Sequence, residues 1–163
     1  MARHYTAPSL EAPDRLFQIT QVTRTHTQLW LQSDGSESVG RYRLEVLFQC
    51  VQYVSMPFVL RGLSLRQATP QEWARLSELH QLEPDPAWSL YMLSRSHDWF
   101  IVSATPVWAE ADLSYRDKSV FWGFPKDDDR LISTATLEQD SRPLGTAARF
   151  VSGSDDIMTA RVP

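Results

Sequence analysis

The sequence predicts an α+β fold, a mainly antiparallel β-sheet with one helix over about residues 70–82 packed on it. Two observations carry this. Residues 41–54 (RYRLEVLFQCVQYV) place Tyr42, Leu44, Val46, Phe48, Cys50 and Val54 on one parity, and Arg41, Arg43, Glu45 and Gln49 on the other. Strand side chains alternate between faces, so one face of this long strand rests on a core and the other meets water over Arg41, Arg43 and Glu45. From Leu47 onward that second face carries Leu47, Val51 and Tyr53 and needs a cover, for which the Trp73–Leu82 helix is the nearest candidate and a partner protein the alternative. The second observation is Thr69-Pro70-Gln71-Glu72, a capping box with proline at the first helical position, which marks a helix start.

In chain order, residues 1–14 contain Pro8 and Pro13 without periodicity and read as an irregular lead-in. Residues 16–22 (LFQITQV) and 28–32 (QLWLQ) are rich in residues that suit a pleated surface, so two strands are expected. The turn-rich stretch 34–40 (DGSESVG) precedes the long strand, and Pro57 stops that strand by removing a ladder donor. Residues 58–68 form a further extended piece, broken at Gly62. In the helix, Trp73, Leu76, Leu79 and Leu82 are expected to line one stripe, and Glu83-Pro84 ends it. Residues 88–94 and 99–107 read as a hairpin, 119–124 (SVFWGF) as a short strand and 131–137 as the last strand. Residues 15–137 then form one domain, with 138–163 a weakly ordered tail.

A chain of 163 residues buries roughly 70% of its unfolded surface, enough for a core without disulfides or a structural metal. The net charge of −4 and pI near 5.5 speak against a nucleic-acid binder, which needs a basic patch to neutralise phosphates. Fourteen arginines stand against two lysines, Lys118 and Lys126, and asparagine is absent, the habit of a GC-rich and bacterial gene. A single cysteine, no signal-like apolar run and no segment of about 20 apolar residues predict a soluble, cytoplasmic protein that does not enter a membrane.

No catalytic constellation stands out. Cys50, in mid-strand beside Phe48 and Val46, reads as a buried core thiol. The four histidines are scattered without ligand spacing, so neither a metal nor any other cofactor is expected. The sequence contains no P-loop, no G-x-G-x-x-G and no G-x-S-x-G.

The densest chemistry lies between residues 108 and 129. Trp108, Glu110, Asp112, Trp122, Asp127 and Asp128 combine indoles with carboxylates and form the candidate binding residues. Aromatics beside carboxylates suit a sugar-binding or peptide-binding surface, and paired carboxylates can also hydrolyse glycosidic bonds. Hydrolysis requires one carboxyl of raised pKa in an apolar pocket, whereas the Asp127–Asp129 run is a solvated environment.

The strands LFQITQV and QLWLQ, followed by VLFQCVQYVSMPFVLRGLSL, share a pattern with small bacterial β-rich domains. The matching steps are Phe48-x-x-Val51 and Gly62-Leu63-x-Leu65. Over residues 16–66 the chain resembles immunity proteins of polymorphic toxin systems. That resemblance implies a non-enzymatic protein that binds and blocks a toxin, and it carries over no functional residue. The expected function is therefore a protein-binding or inhibitory module of bacterial origin whose partner is toxin-like or a subunit of an assembly. The alternative is a small carbohydrate-active or hydrolytic enzyme using carboxylates between Glu110 and Asp129.

Overall fold

The computed structural model describes residues 2–22, 28–36, 41–122 and 129–139. About half of these lie in strands, and one helix is present among them. The strands are β1 (Arg3–Ala7), β2 (Ser9–Val22), β3 (Leu29–Ser33), β4 (Arg43–Phe48), β5 (Tyr53–Ser55), β6 (Val59–Gln67), β7 (Ser89–Met92), β8 (Phe100–Ser103), β9 (Val107–Ala111) and β10 (Leu131–Leu137). The helix, α1, spans Pro70–His80 between β6 and β7. The sheet is mixed: β1 runs parallel to β10, and every other pairing is antiparallel.

The sheet order, β1-β10-β9-β4-β3-β2-β6-β7-β8-β5, cannot lie flat. Strands β8 and β9 are six places apart, which in a flat sheet is roughly 29 Å. They are joined from Ser103 to Val107, a reach of at most about 14 Å. The sheet therefore curls until its ends meet. Ala104 N donates to Gln49 O at 3.0 Å and Gln52 N to Val102 O at 2.8 Å, so the β4–β9 ladder continues into the β5–β8 ladder. The two long segments form one bent ribbon that closes a ring with β3, β2, β6 and β7. Side chains fill the ring: Phe17, Leu31, Val46, Phe48, Leu65, Tyr91, Ile101 and Trp108 share one buried cluster. Small barrels are packed in this way.

The ribbon revises the long strand. It breaks after Phe48, and the pairing register shifts by one residue across the corner. Cys50 sits in the corner with φ of 53° and is exposed rather than buried. The expected strand 99–107 bends at the same place, since its first part is β8 and its end enters β9.

The lead-in is not irregular. Residues 3–7 and 9–14 lie in strands, and the prolines sit where the ladder tolerates them. Pro8 separates β1 from β2. Pro13 lies in a bulge where the three residues 13–15 stand opposite Gly62 alone. Gly62 has φ of 81°, and a Cβ there would come within 2.7 Å of Pro13 O, so only glycine fits the close approach.

The hairpin β7–β8 and the strand 131–137 form as expected. The expected strand 119–124 does not, since residues 120–122 form a turn and 123–124 lie outside the described residues. Of the expected tail, Glu138 N donates to Ala7 O at 2.7 Å and Gln139 Nε2 to Tyr91 OH at 3.3 Å. Residues 140–163 lie outside the described residues.

Helix α1 begins with the full capping box. Glu72 N donates to Thr69 Oγ1 at 3.2 Å and Thr69 N to Glu72 Oε2 at 2.8 Å. The helix ends at His80, with Gln81 left-handed at φ 53°. Leu76 is buried and Trp73 partly so, but Leu79 is exposed. Strict spacing by three drifts about 60° per step around a 3.6-residue helix, so Leu79 leaves the face that Trp73 and Leu76 share. That face covers the outside of the β7–β8 hairpin through Leu90, Met92, Phe100 and Val102. No helix among the described residues is long and apolar enough to cross a membrane.

Candidate functional site

The six candidate residues do not form one site. Trp108 is 2% exposed inside the ring and belongs to the core. Glu110 pairs in register with Leu44 and thus shares the core-facing side, where its carboxylate lies 3.9 Å from Arg15 Nη2. Asp112, just past β9, is exposed and 3.5 Å from Arg41. Trp122 is 58% exposed on the opposite side of the sheet. Asp127 and Asp128 lie outside the described residues. Alternation explains the separation, because a core-facing parity carries Trp108 and Glu110 while Trp122 belongs to a loop on the outer side.

The structure instead brings together the outer face of β4 and the loop 112–122. Arg43 and Glu45, expected to meet water, are each 1% exposed. Residues two apart on a strand share a face, and Arg43 Nη1 donates to Glu45 Oε1 at 3.1 Å. The same guanidinium donates to Asp117 O at 3.1 Å and to Ser114 O, and its Nε lies 3.3 Å from Asp34 Oδ1. Glu45 Oε2 accepts from Ser119 Oγ at 2.5 Å and Val120 N at 3.0 Å. One buried ion pair thus holds both ends of a turn-rich loop.

The loop has its own internal bonds. Ser114 N donates to Asp117 Oδ2 at 2.7 Å and Asp117 N to Ser114 O at 3.1 Å. The Ser114 amide is the main reason the Asp117 carboxyl is held below its ordinary range, with Arg130 adding to it. Trp122 N donates to Ser119 O at 3.0 Å, and the Trp122 ring meets the buried Trp30 edge-on at 6.4 Å. Trp30 opposes Leu47 across the β3–β4 ladder. Leu47 therefore lies on this loop-covered side and not beneath the helix.

What the loop offers outward is Tyr115, 69% exposed, with Arg116 bonded to its hydroxyl at 2.7 Å, and Trp122. These side chains form an exposed aromatic surface on a loop held by hydrogen bonds. Among the described residues of this region, no carboxyl has the raised pKa that a general acid needs. Glu110 and Asp112 each lie beside an arginine, Arg15 and Arg41, and the carboxyl of Asp117 is shifted downward rather than up. No group of three or more His, Cys, Asp or Glu among the described residues is placed to hold a metal ion.

Sequence reasoning missed Arg43, Glu45, Trp30 and Tyr115. One signal was available: the Arg43-x-Glu45 pair shares its parity with Leu47 and Val51, so the charges lie on a face that turns apolar. Compared with known proteins, the chain matches no family model, no curated protein and no solved structure.

Proposed function

We propose that the protein is a non-enzymatic protein-binding module of bacterial, cytoplasmic origin that acts by occupying a partner's surface. The observation supporting this is the Arg43–Glu45 pair, which is spent on holding a loop that carries exposed Tyr115, Arg116 and Trp122. Tyr, Trp and Arg dominate binding hot spots, and a loop already held in place loses little entropy when it docks. That the module inhibits a toxin-like partner rests on the resemblance of residues 16–66 to immunity proteins. A binder of nucleic acid is disfavoured by the net charge of −4.

Quantitative capture from a lysate of the native host tests this, using the wild-type chain and a Tyr115→Ala/Trp122→Ala variant of unchanged melting temperature. The reading expects one protein recovered in stoichiometric amount by the wild type, encoded beside this gene. The double variant should lose about 2–4 kcal/mol of affinity, a loss of about 30-fold or more. Equal recovery by both, or saturable binding of glycans at Trp122, would overturn it. The second outcome would point to the carbohydrate reading.

A further inference from the structure

Outside the closed ring, β10 and β1 continue the sheet from β9 as a two-stranded extension, and β1 has no further neighbour among the described residues. Ala7 O accepts from Glu138 N, so the backbone groups of Ala7, Tyr5 and Arg3 face β10. Strand geometry then turns the N–H and C=O groups of His4 and Thr6 to the free edge. Exposed edges are ordinarily covered, bulged, or broken by lysine or proline. Strand β1 contains no lysine, no proline and no bulge.

Beside this edge, on the core-facing side, Arg3, Tyr5, Ser133 and Glu110 line an open cleft of about 950 Å³ together with His4 and Ile132. Arg3 pairs in register with Ser133, and Tyr5 with Ala135. Glu110 is turned to Arg15, whereas Arg3 has no ion-pair partner among the described residues. We infer that β1 accepts an extended segment of a partner protein as an added strand. Its backbone bonds to His4 and Thr6, an acidic side chain meets Arg3, and an apolar side chain two positions away meets Tyr5. Backbone bonding supplies affinity in such strand addition, and alternate side chains supply specificity. The inference is independent of the Tyr115–Trp122 loop, which lies on the outer face.

The test is selection of a random 12-residue peptide phage library on the full chain. The best binder is then synthesised unmodified and in two forms N-methylated at alternate residues. The expected motif is acidic–x–apolar. Methylation on the parity facing β1 should weaken binding at least 10-fold and methylation on the other parity should not. Arg3→Glu, an exposed change, should weaken it at least 10-fold, and Tyr115→Ala/Trp122→Ala should leave it unchanged. Absence of enrichment, equal tolerance of both methylation patterns, insensitivity to Arg3→Glu, or loss of binding in the loop variant would each overturn it. Because the methyl groups are on the peptide, the result does not depend on a variant's folding.

Discussion

The ring has two covered outer faces, and they are covered by different physics. Over the β7–β8 hairpin lies α1, seated through Leu76 on Leu90, Met92, Phe100 and Val102. Over the start of β4 lies the loop 112–122, seated through Arg43 and Glu45. The apolar cover gains from every buried methylene and tolerates small shifts. The ionic cover depends on geometry, because two desolvated charges are offset only while each keeps its partners. One region is therefore built for stability, and the other for a single loop conformation.

The largest expected effect breaks the ionic side of that comparison. Glu45→Ala leaves Arg43 buried without its closest carboxylate and should cost about 3–5 kcal/mol in urea unfolding. Arg43→Met/Glu45→Leu should recover most of that loss, since a well-packed apolar pair is often as stable. Amide exchange at residues 114–120 should nevertheless quicken in the double variant, because the carbonyl and amide anchors are gone. If the double variant protects those amides as the wild type does, the pair does not fix the loop.

Next comes the apolar side. Leu76→Ala removes the one fully buried side chain of α1 and should cost about 3 kcal/mol, within the usual range for buried leucine. Here, unlike at Glu45, exchange should quicken along the helix and at Ser89–Met92 while residues 114–120 keep their protection. A uniform loss of protection over both regions would show that the covers are not separable.

The helix cover was legible in the sequence, and the loop cover was not. The capping box at Thr69 is local, so four adjacent residues announce the structure they form. The β7–β8 hairpin and β10 are legible for the same reason: each is a short strand pattern bounded by turn residues. By contrast, parity states only which residues share a face, not what covers it. Arg43 and Glu45 are covered by residues about 70 positions later, and nothing near them in sequence signals that. The corner at Cys50 escaped because apolar residues continue through it on both sides. Trp108 and Trp122 were grouped by closeness in sequence, although the end of β9 and the following turn send them to opposite sides of the sheet.

A smaller effect separates the two covers by pH. Glu72 accepts from both Nη atoms of Arg66, at 2.8 and 2.6 Å. That guanidinium, with the Thr69 amide, lowers its pKa from 4.5 to about 2. A carboxyl depressed on folding stabilises the fold fully above its unfolded pKa, and the contribution fades as pH falls from about 4.5 toward 2. With about a quarter of the Glu72 side chain exposed, solvent screening reduces the value to about 1–2 kcal/mol. The stability gap between wild type and Glu72→Gln should therefore be present at pH 6 and close near pH 2. A gap independent of pH would mean the carboxylate charge is not what matters.

The smallest effect is at the cap itself. Thr69→Ala removes the hydroxyl that accepts from Glu72 N but leaves Glu72 able to accept from the Thr69 amide position and from Arg66. Half of the capping box survives, so the cost should be about 1 kcal/mol. Combined with Glu72→Gln, the two losses should fall short of additive, since both act on one pair of amides. Combined with Glu45→Ala they should add, because the ionic loop cover and the helix cap share no partner. Non-additivity in that second pair would show that the two covers communicate through the ring.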